Sequence, residues 1–191
     1  MARPKLLSDD EVLDAALDVI RERGPERFTL ADVSGAVALS PATLIQRFGS
    51  KAALLQRAIG HANRQLDQVV AQPVDSGRDP RRSLIKWLVE LSHPFRTREL
   101  IAAHLQVLQQ DLLDSGMRLH ARRHSELVQT RIGSYLEAMF AKTARAKLTP
   151  LAVTIEAHWH GLILQWAIAG RGGLNEWLGR GLERLLSSLF G

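Results

Sequence analysis

The chain has 191 residues, a net charge of +5 and 46% hydrophobic residues, enough apolar side chains to bury a substantial core. It contains no cysteine, which excludes disulfides, thiolate metal ligands and cysteine nucleophiles and agrees with a reducing, cytoplasmic location. We see no secretory signal and no membrane span in the sequence.

The first predicted helix begins at Ser8, where Glu11 stands three residues on and completes a capping box. Its apolar residues recur at helical spacing, and Gly24-Pro25 ends it. We expect this helix to brace the segment that follows. Arg3 and Lys5 precede it and are candidates either for a basic arm that contacts phosphate or for a solvated terminus.

Two short helices joined by a tight turn are predicted next. Thr29 caps the first, which should end near Ala38-Leu39. Ser40 caps the second, with Pro41 at its first position, where a missing N–H costs nothing. Phe48-Gly49-Ser50 ends this helix after about two turns. The layout is that of a helix-turn-helix DNA reader.

The outward face of the second short helix carries groups suited to a DNA groove. Leu44 and Phe48 can point inward, which leaves small or hydrogen-bonding residues outside: Pro41, Ala42, Thr43, Gln46 and Arg47. Lys51, which begins the next helix, suits a phosphate. Judged on these features alone, a solvated helical hairpin is an equal alternative.

The distribution of charge along the chain is more informative about DNA binding than the net charge is. Residues 1–60 carry equal numbers of basic and acidic side chains, yet no acid lies between Asp32 and Asp67. The basic residues in that window are Arg47, Lys51, Arg57 and Arg64. The segment predicted to face DNA is therefore locally positive.

A family pattern runs through this region: Ala15-Ala16-Leu17, Gly24, Phe28-Thr29-Leu30, Val33, Ser40, Thr43-Leu44, Phe48, Ser50-Lys51 and Leu54-Leu55. On these residues, Val12 to Ile59 resembles the DNA-binding domain of the TetR family of bacterial transcriptional regulators. The family usually has Ala-Gly-Val at the turn, where this chain has Val37-Ala38-Leu39, and usually tyrosine, where it has Ile45. We therefore place base reading on Thr43, Gln46 and Arg47, with Thr29 and Lys51 as phosphate anchors.

The rest of the chain is predicted to be helical. The helix after Ser50 links from residue 51 to about 71, and VDSGRDP (74–80) marks a boundary. Five helices follow, near 81–92, 96–113, 118–142, 149–169 and 174–189, with breaks at His93-Pro94, Ser115-Gly116, Thr149-Pro150 and Gly170 to Gly173. We predict an all-α fold, with a three-helix helix-turn-helix domain at 1–60 and a helical bundle for ligand sensing and dimerisation at 73–191.

The apolar surface of each of the last two helices is wider than packing against a single neighbouring helix requires. The resemblance implies that they pair across a two-fold axis as a four-helix dimer interface, and Gly161 and Gly181 would permit close approach. Candidate interface residues are Ala157, Gly161, Leu164, Ile168, Leu178, Leu182, Leu185 and Leu189. The alternative is that both helices form the buried centre of a monomer.

Candidate ligand-binding residues are large or amphipathic and fall on helices that the family arranges around its cavity: Trp87, Phe95, His104, Leu108, Met117, Phe140, His158, Trp159 and Trp166. Each of them also fits ordinary core packing. We expect a small, largely apolar effector.

We expect no metal, no cofactor and no catalytic residues. His120 and His124 have a spacing that can bind zinc, but no glutamate of an HExxH motif separates them, and surface histidines are favoured. No nucleophile elbow, phosphate loop or dinucleotide fingerprint is present.

The resemblance implies a ligand-responsive regulator, most simply a repressor that binds double-stranded DNA at an inverted repeat as a homodimer and is released by its effector. One alternative is a constitutive or architectural DNA-binding dimer without an effector. The other is an all-helical enzyme.

Overall fold

The computed structural model describes residues 7–74 and 79–190, except the side chains of Gln110 and Asp111. Arg3, Lys5 and residues 75–78 of the predicted boundary lie outside this range. The described residues are helical without a strand, which confirms the all-α prediction. The helices are α1 Asp9–Arg23, α2 Leu30–Val37, α3 Pro41–Phe48, α4 Lys51–Ala71, α5 Pro80–Leu91, α6 Arg98–Leu113, α7 Ser115–Met139, α8 Arg145–Ala169 and α9 Leu174–Phe190, with a 3-10 turn at His93–Phe95. Across these ranges, no helix combines the length and the apolar character that crossing a bilayer demands.

Local signals set the helix ends in the first part of the chain. The Ser8 backbone N–H donates to Glu11 Oε2 at 2.7 Å, and the Glu11 N–H donates to Ser8 Oγ at 3.2 Å, so the predicted capping box is formed. Gly24 ends α1 with φ +82°, a conformation that favours glycine.

Two predicted breaks in the C-terminal part are wrong. Pro150 does not begin α8, because the helix already starts at Arg145 and the proline lies inside it. Near a helix start, a proline removes only one internal hydrogen bond, and Leu148, 2% exposed, anchors the extra turn. Helix α7 starts at Ser115 itself, because the Asp114 carboxylate accepts from the Met117 N–H at 2.8 Å and caps it.

The chain forms two compact units. The first contains the residues up to Asp67 together with Ala102–Arg123, and the second contains Gln68–Ile101 and the residues from His124 onward. Helices α4, α6 and α7 therefore each contribute residues to both units. The first unit includes 102–123 in addition to the predicted 1–60 region, and the functional division at residues 60 and 73 stays a prediction.

The core of the first unit joins α1, α2, α3 and the start of α4. It contains Val12, Leu13, Ala16, Leu17, Ile20, Phe28, Val33, Val37, Leu44, Phe48, Leu54, Leu55, Ala58 and Met117. Since Leu44 and Phe48 belong to it, the inward face of α3 is the predicted one.

In the second unit, α9 packs against both α5 and α8. Gly181 makes the contact with α8 close, because a Cβ atom there would stand 2.6 Å from both terminal carbons of Leu162. The indole N–H of Trp159 donates to Ser92 Oγ at 2.7 Å, and both residues are buried. This hydrogen bond satisfies a polar group that would otherwise be costly to bury.

Candidate nucleic-acid interface

Helix α3 is fixed at its start and along its inner face. Ser40 Oγ accepts from the Thr43 N–H at 3.1 Å, and Pro41 occupies the first helical position. Leu44 is fully buried and Phe48 is 3% exposed. The opposite face is open, with Pro41, Ala42, Ile45 and Gln46 exposed and Thr43 half-buried. Four of the predicted groove-facing residues therefore lie where a partner can reach them.

The turn between α2 and α3 places Ala38 at φ 52° and ψ 33°, in the left-handed region. This conformation is unfavourable for an L-residue with a Cβ atom. Alanine nevertheless makes the turn, so the glycine that usually stands here in the resembled family is not required for this fold.

Thr29 acts as a helix cap in this structure. Its hydroxyl accepts from the Asp32 N–H at 3.1 Å and donates to Asp32 Oδ2 at 2.8 Å. The hydrogen bonds from the Thr29 side chain and backbone lower the pKa of the Asp32 carboxyl. The hydroxyl predicted as a phosphate anchor is therefore already bonded at the start of α2.

Lys51 connects the start of α4 to the segment between α1 and α2. Its Nζ donates to the Glu26 carbonyl oxygen at 2.7 Å and lies 4.7 Å from the centre of the Phe28 ring. An ammonium has three donors, so two remain for a phosphate. The position agrees with a phosphate contact and also ties two elements of the domain together.

Arg47 is directed at α1. Its Nε donates to Asp9 Oδ1 at 2.9 Å, and its Nη2 contacts the same oxygen. The Arg47 side chain is only 19% exposed, whereas that of Asp9 is 56% exposed. Of the residues predicted to read bases, Arg47 is held by another helix, and the Thr43 hydroxyl shares a hydrogen bond of 2.8 Å with Ser40 Oγ inside α3 and its cap.

An exposed apolar stripe runs along α8. Ile168 is 84% exposed, Val153 44% and Leu164 40%, and Ala157 is also exposed at the matching helical spacing. A Cβ atom at Gly161, between them, would meet nothing within 4 Å. Most of the α8 residues predicted for a dimer interface therefore share one uncovered face.

The prediction for α9 needs correction. Leu178 and Leu182 are fully buried within the chain, because α9 turns this side towards α5 and α8. They belong to the core of one protomer and not to a free surface. Leu189 is 37% exposed and Leu185 is half-buried, so these two stay candidates.

The predicted ligand residues divide between the two units. His104 and Leu108 are exposed and Met117 is in the hydrophobic core, all three in the first unit. The others lie in the second unit, where Phe95 packs edge-on against Trp159 with ring centres 6.4 Å apart. Trp87, Phe140, His158 and Trp166 also belong to that unit. The nine residues are therefore shared between the two units.

Sequence reasoning missed a buried carboxylate in the second unit. Glu156 is 5% exposed and accepts from Ser125 Oγ at 3.0 Å and from Gln129 Nε2 at 2.7 Å. Burial and, to a smaller extent, the charge of His160 together lower the pKa of His124 to about 4. The sequence did contain a signal for this buried carboxylate, because Glu156 is an acidic residue within the apolar segment LAVTIEAHWHGLIL.

A cavity of about 210 Å³ opens between α7 and the start of α8. Its lining includes Gln129, Gly133, Arg145, Leu148 and Ala152, none of which was among the predicted ligand residues.

Comparison with known proteins agrees with this architecture. The family model described as bacterial regulatory proteins, tetR family, matches residues 12–58. The transcriptional regulator BetI of Brucella canis is 27% identical over 164 residues, covering 83% of this chain and 79% of that protein. BetI of Brucella anthropi is also 27% identical, over 83% of this chain and 80% of its own.

Solved structures share the fold. A TetR-family regulator from Agrobacterium tumefaciens has a TM-score of 0.70 at 23% identity, covering 94% of this chain and 96% of its own. A transcriptional regulator from Saccharomonospora viridis in complex with choline has a TM-score of 0.68 at 22% identity, covering 94% of this chain and 95% of its own.

The capped α2–α3 pair, the open face of α3 and these likenesses define a helix-turn-helix, DNA-binding transcriptional regulator and not an enzyme. The family model, the BetI relatives and the solved structures all support the TetR family.

Proposed function

We propose that this regulator is a homodimeric repressor that binds an inverted-repeat operator and leaves it when a small effector binds the second unit. The observation that carries the proposal is the open face of α3, where Ala42, Thr43 and Gln46 lie outside the core on a helix that is capped and anchored. These groups match what a major groove offers, since threonine can meet a thymine methyl and glutamine can pair with adenine.

The uncovered stripe on α8 supports dimerisation. Ile168 and Leu164 would each leave water in a two-fold contact, and the open space at Gly161 would let two copies of the helix approach closely. A dimer would present two α3 helices to successive major grooves.

Sedimentation tests this arrangement. We expect the unaltered chain to sediment as a dimer, Ile168→Glu to sediment as a monomer, and the monomer to lose operator affinity by at least about tenfold, since half of the contacts are gone. Leu119→Glu is the control, because Leu119 is 67% exposed and belongs to the first unit, whereas the stripe belongs to the second. If Ile168→Glu stays dimeric, the proposed interface is wrong.

For the effector, we propose a compact molecule with an apolar body. The buried rings of Phe95 and Trp159 would contact such a body, and the Glu156 carboxylate could complement a positive charge. Choline, the ligand in the Saccharomonospora viridis structure, is therefore the first probe, and 3,3-dimethylbutan-1-ol is its uncharged analogue of the same shape.

Thermal unfolding and operator affinity are measured with each compound. An effector should raise the midpoint of unfolding and weaken operator binding. Stabilisation by choline alone would indicate recognition of the charge, and Glu156→Gln should then abolish it. If operator binding is unaffected by either compound, these two are not effectors and the constitutive DNA-binding alternative gains support.

A further inference from the structure

The contact between Arg47 and Asp9 joins the last turn of α3 to the first turn of α1. Two nitrogens of the guanidinium share one carboxylate oxygen, with Nε at 2.9 Å. The two residues are 38 positions apart in sequence, so the contact is tertiary. A charged pair that uses two donors is geometrically more demanding than a single hydrogen bond.

Two further features describe the surroundings of the Arg47 side chain. Its Nη1 is buried and has no hydrogen-bond partner, so this nitrogen does not face the solvent. Its guanidinium carbon lies 5.5 Å from the centre of the Phe48 ring. Phe48 is itself 3% exposed, so the guanidinium of Arg47 rests on a fixed part of the core.

We propose that Asp9 is a positioning residue for DNA recognition, holding Arg47 against α1 so that the guanidinium sets the orientation of α3 and does not read a base. This inference rests on the proposed function and refines it. Base selection then falls to Ala42, Thr43 and Gln46, which are outside the core.

An arginine that orients α3 and an arginine that reads a base have different effects on operator affinity and on base preference. A base-reading arginine contributes at one position of the operator, whereas an arginine that orients the helix affects all positions alike. The Asp9 and Arg47 variants should therefore behave alike, because each breaks the same contact. Their combination should cost little more than either alone, since the interaction can be lost only once.

The experiment uses the full chain and measures affinity for its selected operator and for a set of single-base variants of that operator. We expect Asp9→Asn and Arg47→Ala each to weaken binding by about 3- to 10-fold, equivalent to about 0.7–1.4 kcal/mol. The affinity ranking of the single-base operator variants should not change. The doubly substituted protein should bind the operator about as weakly as the weaker-binding singly substituted protein. Asp9→Glu, which keeps the carboxylate, should recover part of the lost affinity.

Asp18→Asn is the matched control, because Asp18 is a carboxylate on the same helix that is 72% exposed and pairs with Arg21, three residues away. Circular dichroism melting of every variant separates loss of fold from loss of orientation. A change of base preference at one operator position in Arg47→Ala, or tighter binding by Asp9→Asn, would overturn the proposal. Failure of the unaltered chain to select any DNA would instead overturn the proposed function.

Discussion

The ammonium of Lys51 donates to the carbonyl oxygen of Glu26 at 2.7 Å and lies over the ring of Phe28. This contact holds the start of α4 against the segment that leads into α2. The residue that best suits a phosphate contact is therefore also part of the frame that positions the helix-turn-helix.

We expect Lys51→Met to weaken operator binding and to reduce the slope of log affinity against log salt by about 0.9, the value for one phosphate contact. Lys51→Arg should keep most of the slope. Fluorescence anisotropy titrations at several salt concentrations measure both quantities. Lys86→Met is the control, since Lys86 is 77% exposed in the second unit. An unchanged slope in Lys51→Met would mean that Lys51 serves the fold alone.

Ala38→Gly should stabilise the protein by about 1 kcal/mol, because glycine adopts the left-handed conformation without the penalty of a Cβ atom. The control is Ala36→Gly, an exposed position inside α2, where glycine should instead cost up to about 1 kcal/mol. Urea unfolding gives both free energies. Destabilisation by Ala38→Gly would contradict the φ of 52° found at this turn.

Gly181→Ala should destabilise the second unit by about 1–3 kcal/mol, because the added methyl group would stand 2.6 Å from carbons of Leu162 in the packed α8–α9 contact. Gly179→Ala, on the same helix with nothing within 4 Å of its Cβ position, should be neutral or stabilising. Thermal unfolding of the pair checks the prediction. Equal effects would show that α8 and α9 do not pack this closely.

His124 should make stability depend on pH. Its pKa is lowered from 6.5 to about 4 in the fold, so protonation favours the unfolded chain. The contribution of the neutral ring is complete above pH 6.5 and is lost as the pH falls towards 4, by up to about 3 kcal/mol.

Urea unfolding between pH 7 and pH 4.5 measures this effect. His124→Gln should lose less stability over that range than the unaltered protein, whereas His93→Gln, which changes an exposed histidine, should follow the unaltered protein. Parallel curves for the unaltered protein and His124→Gln would show that His124 is not held neutral by burial.

The parts of this fold that the sequence predicts are those decided within a few residues. Caps at Ser8, Thr29 and Ser40 and the glycine after Phe48 act locally, and the helices around them begin and end where expected. Pro150 shows the limit of this reasoning, because packing of Leu148 outweighs a local breaking signal.

The parts that the sequence does not predict depend on distant partners. Nothing near Arg47 indicates that Asp9 will bind it, since the partner lies in another helix. An apolar pattern also cannot say which side of α9 the chain itself will cover, and Leu178 and Leu182 prove to be core residues for that reason. The sequence therefore indicates which residues lie near the helix-turn-helix, but it does not indicate which distant side chains they contact.

Dimeric recognition of DNA is tested by selecting bound DNA from a random pool with the full chain and sequencing it. We expect enrichment of two half-sites in inverted orientation, with a spacing that places them about one or more helical turns apart, as two α3 helices related by a two-fold axis require. Enrichment of a single unrepeated site, or of no sequence at all, would contradict dimeric recognition.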